Sequence, residues 1–102
     1  MYSLIPTPTF KRDLKRLSKK HWPINELKEV VNFLATRTNT DLLSISKKYA
    51  DHALSSSSTW KGYRELHVDG PQGDWLLIYK IDQPNLVLSL IRTGSHKRLL
   101  GK

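Results

Sequence analysis

Residues 60–93 read WKGYRELHVDGPQGDWLLIYKIDQPNLVLSLIRT, and this stretch decides the fold that we predict. Apolar residues are concentrated in three runs, and two short segments rich in glycine, proline, aspartate and asparagine separate them. Because short turns join antiparallel strands, the three runs predict an antiparallel meander. The predicted strands are 60–68, 74–81 and 86–93, and the predicted turns are 69–73 and 82–85.

The N-terminal third has the spacing of helices. Thr7 followed by Pro8 is typical of a helix N-cap with proline at the first helical position. Apolar residues then recur every three or four positions, and a break at 21–23 precedes a second helix, predicted over 24–36. The remaining predicted elements are a first strand at 2–5, a short helix at 41–49, a loop at 55–58 and a short helix at 95–100.

Together these elements predict an α+β fold in one domain that spans residues 1–102. Two N-terminal helices are expected to pack on one face of a mainly antiparallel, twisted β-sheet. The opposite face of the sheet is then predicted to be uncovered and available for binding. A chain of 102 residues has little room for a deep pocket, which favours a shallow groove that holds a polymer.

The charge of the chain indicates what it binds. It contains 17 lysines and arginines against 9 aspartates and glutamates, a formal net charge of +8. Such an excess favours nucleic acid as partner, although an anionic membrane surface or an acidic protein would also fit.

The absence of cysteine excludes thiolate catalysis, disulfides and cysteine-based zinc sites. Without an apolar run of ~20 residues or a signal-peptide pattern, we expect a soluble, cytoplasmic protein with no membrane partner.

One side of the first predicted helix carries a run of basic residues. We expect this basic face either to dock on a phosphate backbone without reading its sequence or simply to be solvated. The residues of the basic face are Lys11, Arg12, Lys15, Arg16, Lys19 and Lys20.

The histidines of the C-terminal half and the charged residues near them have the composition of a ribonuclease site. RNA cleavage without a metal needs a base for the ribose 2′-OH, an acid for the leaving 5′ oxygen and a cation for the phosphate charge. Histidine suits the first two tasks and arginine suits the third. The candidates are His52, His67, His96, Arg64 and Arg92, with Asp74 expected to approach His67 across the turn and orient a histidine.

Two other interpretations fit the same residues. They could be polar surface residues on the rim of the sheet, with no part in a reaction. His67, Asp74 and His96 could instead form a two-histidine, one-carboxylate metal site, although no tight spacing such as H-x-x-x-H supports it. The fourth histidine, His21, lies in the break between the helices and is predicted to be structural or merely exposed.

Three ordered motifs resemble a known family. They are WKGYRELHV at 60–68, GDWLLIYK at 73–80 and RTGSH at 92–96, and Asp51-His52 precedes them. With two helices ahead of a sheet, they resemble the YafQ branch of the RelE-like bacterial toxins over nearly the whole chain. The resemblance implies the toxin of a type II toxin–antitoxin pair, a metal-independent endoribonuclease without cofactor that cuts mRNA in the ribosomal A site. It also implies a cognate antitoxin that covers the basic site, and contact with operator DNA only through that complex.

The resemblance implies roles for individual residues as well. His52 or His67 would act as the base and His96 as the acid. Asp74 would orient or tune a histidine, and Arg92 would stabilise the phosphate. The remaining contacts to RNA are expected from the basic face and from Lys61, Arg64 and Leu100.

Two positions depart from the family pattern. Leu100 stands where the family often has an aromatic residue that can stack on a base, and Ala53 stands where proline is expected. Both departures bear on codon preference and rate more than on the reaction itself. A non-catalytic RNA- or DNA-binding module, or a protein that only binds an acidic partner, is the alternative to an enzyme.

Overall fold

The computed structural model describes residues 2–36, 49, 51–54, 62–82 and 85–100. Within these ranges the chain forms five strands and three helices. In chain order they are β1 Ser3–Pro6, α1 Pro8–Lys19, α2 Ile24–Thr36, β2 His52–Ala53, β3 Arg64–His67, β4 Trp75–Asp82, β5 Val87–Ser95 and α3 His96–Leu100. Crossing a membrane requires a longer and more apolar helix than any of those described.

Some of the sequence predictions concern parts of the chain outside the described residues. These are most of the predicted helix at 41–49, the loop at 55–58, the first two residues of the predicted strand at 60–68, Lys61, and the side chains of His52 and Leu100. The described part of that strand is shorter than predicted, since β3 covers only Arg64–His67.

The two N-terminal helices begin where the sequence predicts. Thr7 caps α1, because its side chain accepts a hydrogen bond of 3.1 Å from the backbone N–H of Phe10. Pro8 occupies the first turn, where the N–H that proline lacks would have no helical partner. α2 covers the predicted residues 24–36, and His21 lies exposed in the turn between the helices, as predicted.

The five strands form one sheet in the order β1-β5-β4-β3-β2. β2, β3, β4 and β5 pair antiparallel with their neighbours, as the short turns predict, whereas β1 pairs parallel with β5. The sheet is therefore mixed rather than purely antiparallel. The direction of β1 depends on where the intervening helices return the chain, which local periodicity does not encode.

α1 and α2 cover one face of the sheet, as predicted. The buried core on this face consists of Phe10, Leu17, Leu27, Val30, Val31, Leu34, Ala35, Leu66, Val68, Trp75, Leu77, Tyr79, Leu88 and Leu90.

The opposite face is not uncovered, and here the prediction is wrong. Leu76 and Ile78 of β4 are fully buried on that face, where they cluster with Leu54 and with Leu99 of α3. Burying one such side chain stabilises a fold by ~1.5–3 kcal/mol, which favours a cover on both faces of an apolar central strand. Among the described residues, the part of this face around Leu76 and Ile78 is therefore not free to bind.

Candidate active site

Three of the predicted site residues meet at one end of the sheet. His67 is the last residue of β3, Asp74 comes directly before β4, and His96 is the first residue of α3. β4 pairs antiparallel with β3 on one side and with β5 on the other, so the ends of both neighbours lie beside its start. The fold thus unites residues that lie up to 29 positions apart in the sequence.

His67 has a defined orientation next to His96. The centroids of the two rings lie 5.0 Å apart, with 51° between their planes. Nδ1 of His67 lies 2.9 Å from the carbonyl oxygen of Gly73. A carbonyl oxygen only accepts, so Nδ1 carries the proton and Nε2 of the neutral ring carries the lone pair. A general base needs such a lone pair at a fixed position.

His96 is held by the carboxylate of Asp74. Oδ1 of Asp74 lies 2.6 Å from Nδ1 of His96 and accepts a second hydrogen bond, of 3.1 Å, from the backbone N–H of His96. The side-chain hydrogen bond, followed by the backbone one, keeps the pKa of Asp74 below its usual value. The carboxylate is therefore ionised and accepts, which makes Nδ1 of His96 the donor and leaves Nε2 for a substrate.

The sequence predicts that His67 and Asp74 approach each other across the turn, and in the structure their side chains bind different partners. The turn gives His67 a backbone partner, the carbonyl of Gly73, while the carboxylate of Asp74 reaches the other histidine. Asp74 thus orients His96 through a contact between the start of β4 and the start of α3, which the β3–β4 hairpin alone does not make.

Glu65 belongs to the same site, although it was not among the predicted residues. It lies two positions before His67 on β3, so both side chains project from the same face of the sheet. Glu65 is only 4% exposed, and one of its carboxylate oxygens, one ring nitrogen of His67 and one ring nitrogen of His96 lie within 4.8 Å of one another. The signal in the sequence was the two-residue spacing of a charged residue and a candidate histidine within one strand.

Among the residues that the structure describes, Glu65, His67 and His96 are able to hold a metal ion. Two imidazoles and a carboxylate are ligands that several transition metals accept. The metal site considered from sequence had Asp74 in the third position. The structure places Glu65 there instead and pairs Asp74 with a histidine.

Arg92 owes its position to an irregularity in β5. Ile78 pairs with Arg92 but Tyr79 pairs with Leu90, so Ile91 is an extra residue in the strand. A bulge of this kind shifts the alternation of side chains beyond it by one position. As a result Thr93, rather than Arg92, takes the fully buried position beyond the bulge.

Arg92 lines a groove of about 530 Å³ together with Ser95, Lys97 and Arg98. Lys97 and Arg98 were not predicted as site residues. They follow His96 directly in α3, and a short basic run next to a candidate histidine was the available signal. The groove has the positive charge that a phosphate requires.

Arg64, a predicted RNA contact, has a partner inside the protein. Its Nη2 lies 3.0 Å from Oδ2 of Asp51, and the hydroxyl of Tyr79 donates a hydrogen bond to the other oxygen of that carboxylate. Burial, and then the neighbouring carboxylate, raise the pKa of Tyr79 well above its usual value, so the phenol is a neutral donor. These contacts anchor the backbone beside His52, whose partner in the sheet is Glu65.

The basic face of α1 is exposed as predicted, with one exception. Arg16 donates a hydrogen bond of 2.9 Å to the buried carboxylate of Asp13, which also binds Arg92. The exposed members are Lys11, Arg12, Lys15, Lys19 and Lys20.

Fold and site together define a small basic α+β protein with a pair of histidines at one end of its sheet and an arginine in a basic groove. Residues 2–101 match the family described as the bacterial toxin of type II toxin–antitoxin system, YafQ. The chain belongs to this family. A curated relative, the mRNA interferase toxin YafQ of Escherichia coli strain B / BL21-DE3, is 40% identical over 92 residues, which cover 90% of this chain and 88% of the relative.

Solved structures agree with this assignment. The YafQ chain in a crystal structure of the E. coli DinJ–YafQ complex is 37% identical, with a TM-score of 0.77 over 99% of this chain and 100% of that one. A metal-bound toxin from Helicobacter pylori is 34% identical, with a TM-score of 0.80 over 98% of this chain and 100% of that one. The family predicted from the three motifs is confirmed, and so is the fold of two N-terminal helices on a sheet.

Proposed function

We propose that this protein is the toxin of a type II toxin–antitoxin pair and acts as an endoribonuclease on mRNA. The observation that carries the proposal is the pair of His67 and His96, held at Nδ1 by different acceptors. Arg92 lines a basic groove with Ser95 and Lys97, the two residues that flank His96 in the chain. The E. coli relative is named an mRNA interferase toxin, which supports the same class of reaction.

In the proposed reaction the ribose 2′ oxygen attacks the adjacent phosphorus, and the bond from phosphorus to the 5′ oxygen breaks. His67 takes the proton of the 2′-OH, with His52 as the second candidate for this base. His96, oriented by Asp74, gives a proton to the leaving oxygen, and Arg92 stabilises the negative charge on the non-bridging oxygens of the phosphate. One proton is taken and one is given, so the products are a cyclic phosphate and a 5′-hydroxyl end, without a metal.

The proposed substrate is translated mRNA in the ribosomal A site, which places the action in the cytoplasm. The net charge of +8 and the open groove beside Arg92 suit a polyanion rather than a small metabolite. The proposed RNA contacts are Lys11, Arg12, Lys15, Arg16, Lys19, Lys61, Arg64 and Leu100, to which the groove adds Lys97 and Arg98.

A cognate antitoxin is the proposed protein partner. The relative in the DinJ–YafQ complex is solved with such a partner, and the excess of positive charge favours an acidic segment that covers the groove. Contact with operator DNA is proposed only for the toxin–antitoxin complex.

The first test is induction of the chain alone in cells, with mapping of the 5′ ends of messages, against the variant His96→Ala. We expect new ends inside coding regions for the wild type and a loss of ~10²–10⁴-fold in the variant, the usual contribution of a general acid. Unchanged message ends in both strains would refute the enzyme, and RNA binding without cleavage would then favour a non-catalytic module.

A metal-dependent reaction is the second candidate. Glu65, His67 and His96 form a suitable ligand group, and the H. pylori relative was solved with a metal. Cleavage on programmed ribosomes is therefore measured with phenanthroline, which removes transition metals but leaves the Mg²⁺ that ribosomes need. We expect cleavage to persist; loss of cleavage that added zinc or copper restores would favour the metal.

A further inference from the structure

A buried carboxylate on α1 holds the arginine of the site. Asp13 is 1% exposed and accepts hydrogen bonds from Nε and Nη2 of Arg92, both at 3.0 Å. It also accepts one from Nη2 of Arg16 at 2.9 Å and one from the backbone N–H of Thr93 at 3.2 Å. Asp13 and Arg92 lie 79 positions apart in the chain, so this contact is a product of the tertiary fold.

The contact fixes the plane of the Arg92 guanidinium. Nε reaches Oδ2 and Nη2 reaches Oδ1, which is the bidentate geometry that prevents the group from rotating. A guanidinium has five N–H bonds, and two of them point at Asp13, so three are left on its other edges. The side chain keeps 27% of its surface exposed where it lines the groove with Ser95, Lys97 and Arg98.

The helix that carries Asp13 is itself fixed to β5. The hydroxyl of Thr7 donates to the carbonyl of Ile91, and the backbone N–H of Thr7 donates to the carbonyl of Leu90, both at 3.0 Å. α1 therefore contacts β5 through hydrogen bonds at its cap and again at Asp13. The carboxylate is presented to Arg92 by a rigid element rather than by a loop.

The charge of this arrangement favours an anion in the groove. Burial raises the pKa of Asp13, but the hydrogen bonds from Arg92, Arg16 and Thr93 outweigh it and keep the pKa below its usual value, so Asp13 is ionised. One carboxylate is thus shared by two arginines, while Lys97 and Arg98 add further positive charge at the groove. A phosphodiester, with one negative charge on two terminal oxygens, matches the N–H bonds that Arg92 has left.

We propose that Asp13 is a positioning residue that holds Arg92 so that the edge facing the groove binds the phosphate undergoing cleavage. The inference rests on the proposed function. It assigns the first helix a part in the reaction through its buried side, in addition to the docking expected of its exposed basic face.

The test begins with Asp13→Asn, which keeps the size of the side chain but replaces one acceptor oxygen by an amide that donates. The bidentate pair is then broken, and a displaced catalytic group can cost on the order of 10²-fold. We expect a loss of at least about tenfold in the single-turnover cleavage rate on programmed ribosomes. The control is Asp82→Asn, the same change at an exposed carboxylate, and we expect the wild-type rate for it.

A double mutant separates positioning from a structural role. If Asp13 acts through Arg92, Asp13→Asn has an effect of less than about twofold when Arg92→Ala is already present, since interacting residues are not additive. Hydrogen exchange at Nε of Arg92, followed by NMR, is a direct readout, and we expect it to accelerate in Asp13→Asn. Equal losses with and without Arg92→Ala, or a wild-type rate in a folded Asp13→Asn, would overturn the inference.

A binding arm keeps the inference testable even if the proposed function fails. The probe is a single-stranded RNA with 2′-O-methyl riboses, which cannot be cleaved by attack of the 2′ oxygen. We expect Asp13→Asn and Arg92→Ala to weaken its binding to the same extent, and the double variant to weaken it no further. Failure of the wild type to cleave translated mRNA refutes the function alone, whereas unaltered binding by Asp13→Asn refutes the positioning role.

Discussion

At the scale of single residues, two histidines acquire different tasks from their neighbours. Nδ1 of His67 faces the neutral carbonyl of Gly73, whereas Nδ1 of His96 faces the ionised carboxylate of Asp74. Each acceptor fixes which ring nitrogen carries a proton and therefore which nitrogen faces a substrate. His96, the proposed acid, has a negatively charged partner, whereas His67, the proposed base, has a neutral one. This difference agrees with the two proposed roles.

Asp74→Asn tests this division of tasks. The substitution removes the negative charge and lets an amide rotate its donor toward Nδ1 of His96, so the ring loses its fixed orientation. We expect cleavage to fall at least about tenfold, toward the ~10²–10⁴-fold that a complete loss of general acid catalysis costs. The side chain of Asp74 is 67% exposed, so the free energy of unfolding should change by no more than ~0.5 kcal/mol.

The measurement is the single-turnover cleavage rate beside a urea unfolding curve for the same variant. Asp82→Asn serves again as the exposed control, because its partner Asn85 lies in the turn at the far end of β4. A wild-type cleavage rate in Asp74→Asn would show that His96 needs no carboxylate.

At the scale of elements, the two-residue strand β2 depends on a buried polar cluster. The carboxylate of Asp51, directly before β2, accepts a hydrogen bond from the hydroxyl of Tyr79 in β4 and another from the guanidinium of Arg64 in β3. A strand this short has few ladder hydrogen bonds of its own, so side-chain anchors decide its position. The backbone of His52, the second candidate for the base, is positioned through this cluster.

Tyr79→Phe removes one donor from the buried carboxylate of Asp51 while the ring still fills its place in the core. A buried acceptor that loses its partner costs ~1–3 kcal/mol, and we expect this loss in the free energy of unfolding. Locally, amide hydrogen exchange should accelerate at Leu54, whose N–H bonds to the carbonyl of Tyr63 beside β2.

The control is the double variant Tyr79→Phe with Asp51→Asn. Both changes affect the same hydrogen bond. The double variant should therefore lose less unfolding free energy than the two single variants lose in sum. Full additivity would mean that the hydroxyl of Tyr79 stabilises the protein without acting on Asp51.

At the scale of the whole molecule, a chain with a net charge of +8 is joined across its length by an ion pair. Asp13 near the N-terminus binds Arg92 near the C-terminus, and it couples α1 to the last strand of the sheet. Protonation of Asp13 would add one positive charge to a molecule that already repels itself, and would leave two arginines without their partner. The acid limit of stability should therefore depend on this carboxylate.

The pH dependence follows from the lowered pKa of Asp13. A carboxyl whose pKa is lower in the folded state stabilises the fold at pH values above its ordinary pKa, which is 3.8 for Asp13. This contribution disappears as the pH falls through the lowered pKa. We expect the wild type to exceed Asp13→Asn in unfolding free energy at neutral pH. The difference should shrink as the pH falls below 3.8.

Urea unfolding followed by tryptophan fluorescence over a pH series measures this difference. Asp82→Asn, which alters an exposed carboxylate, should show a much smaller difference at every pH. A difference between wild type and Asp13→Asn that stays constant from neutral to acid pH would contradict the role of the ion pair in stability.

Much of the candidate site could be predicted, and the parts that were missed have one cause. His67, Asp74, Arg92 and His96 come from short motifs in which residue type and order are informative. The contact that orients Arg92 links α1 to β5, and the group around Glu65 forms only when β3 lies beside the start of α3. Such contacts depend on register between distant segments, which no local pattern records.

By itself the sequence determined most of the elements, but it did not indicate the two-residue strand β2, and it predicted a longer β3 than the described one. Apolar spacing of three and four defined α1 and α2, a threonine before a proline defined the start of α1, and two short turns defined the antiparallel strands. These features are local, because the periodicity of a helix or strand and the chemistry of a cap act within a few residues.

Only the tertiary structure decided how the elements combine. It made β1 parallel to β5, placed α3 over the second face of the sheet, and inserted Ile91 as a bulge that exchanges the positions of Arg92 and Thr93. Regular alternation along 87–95 would have given Arg92 the same side as Leu88 and Leu90, toward the core. The cost of burying an arginine there, and the gain from pairing it with Asp13, are properties of the packed molecule, so the sequence pattern could not decide between them.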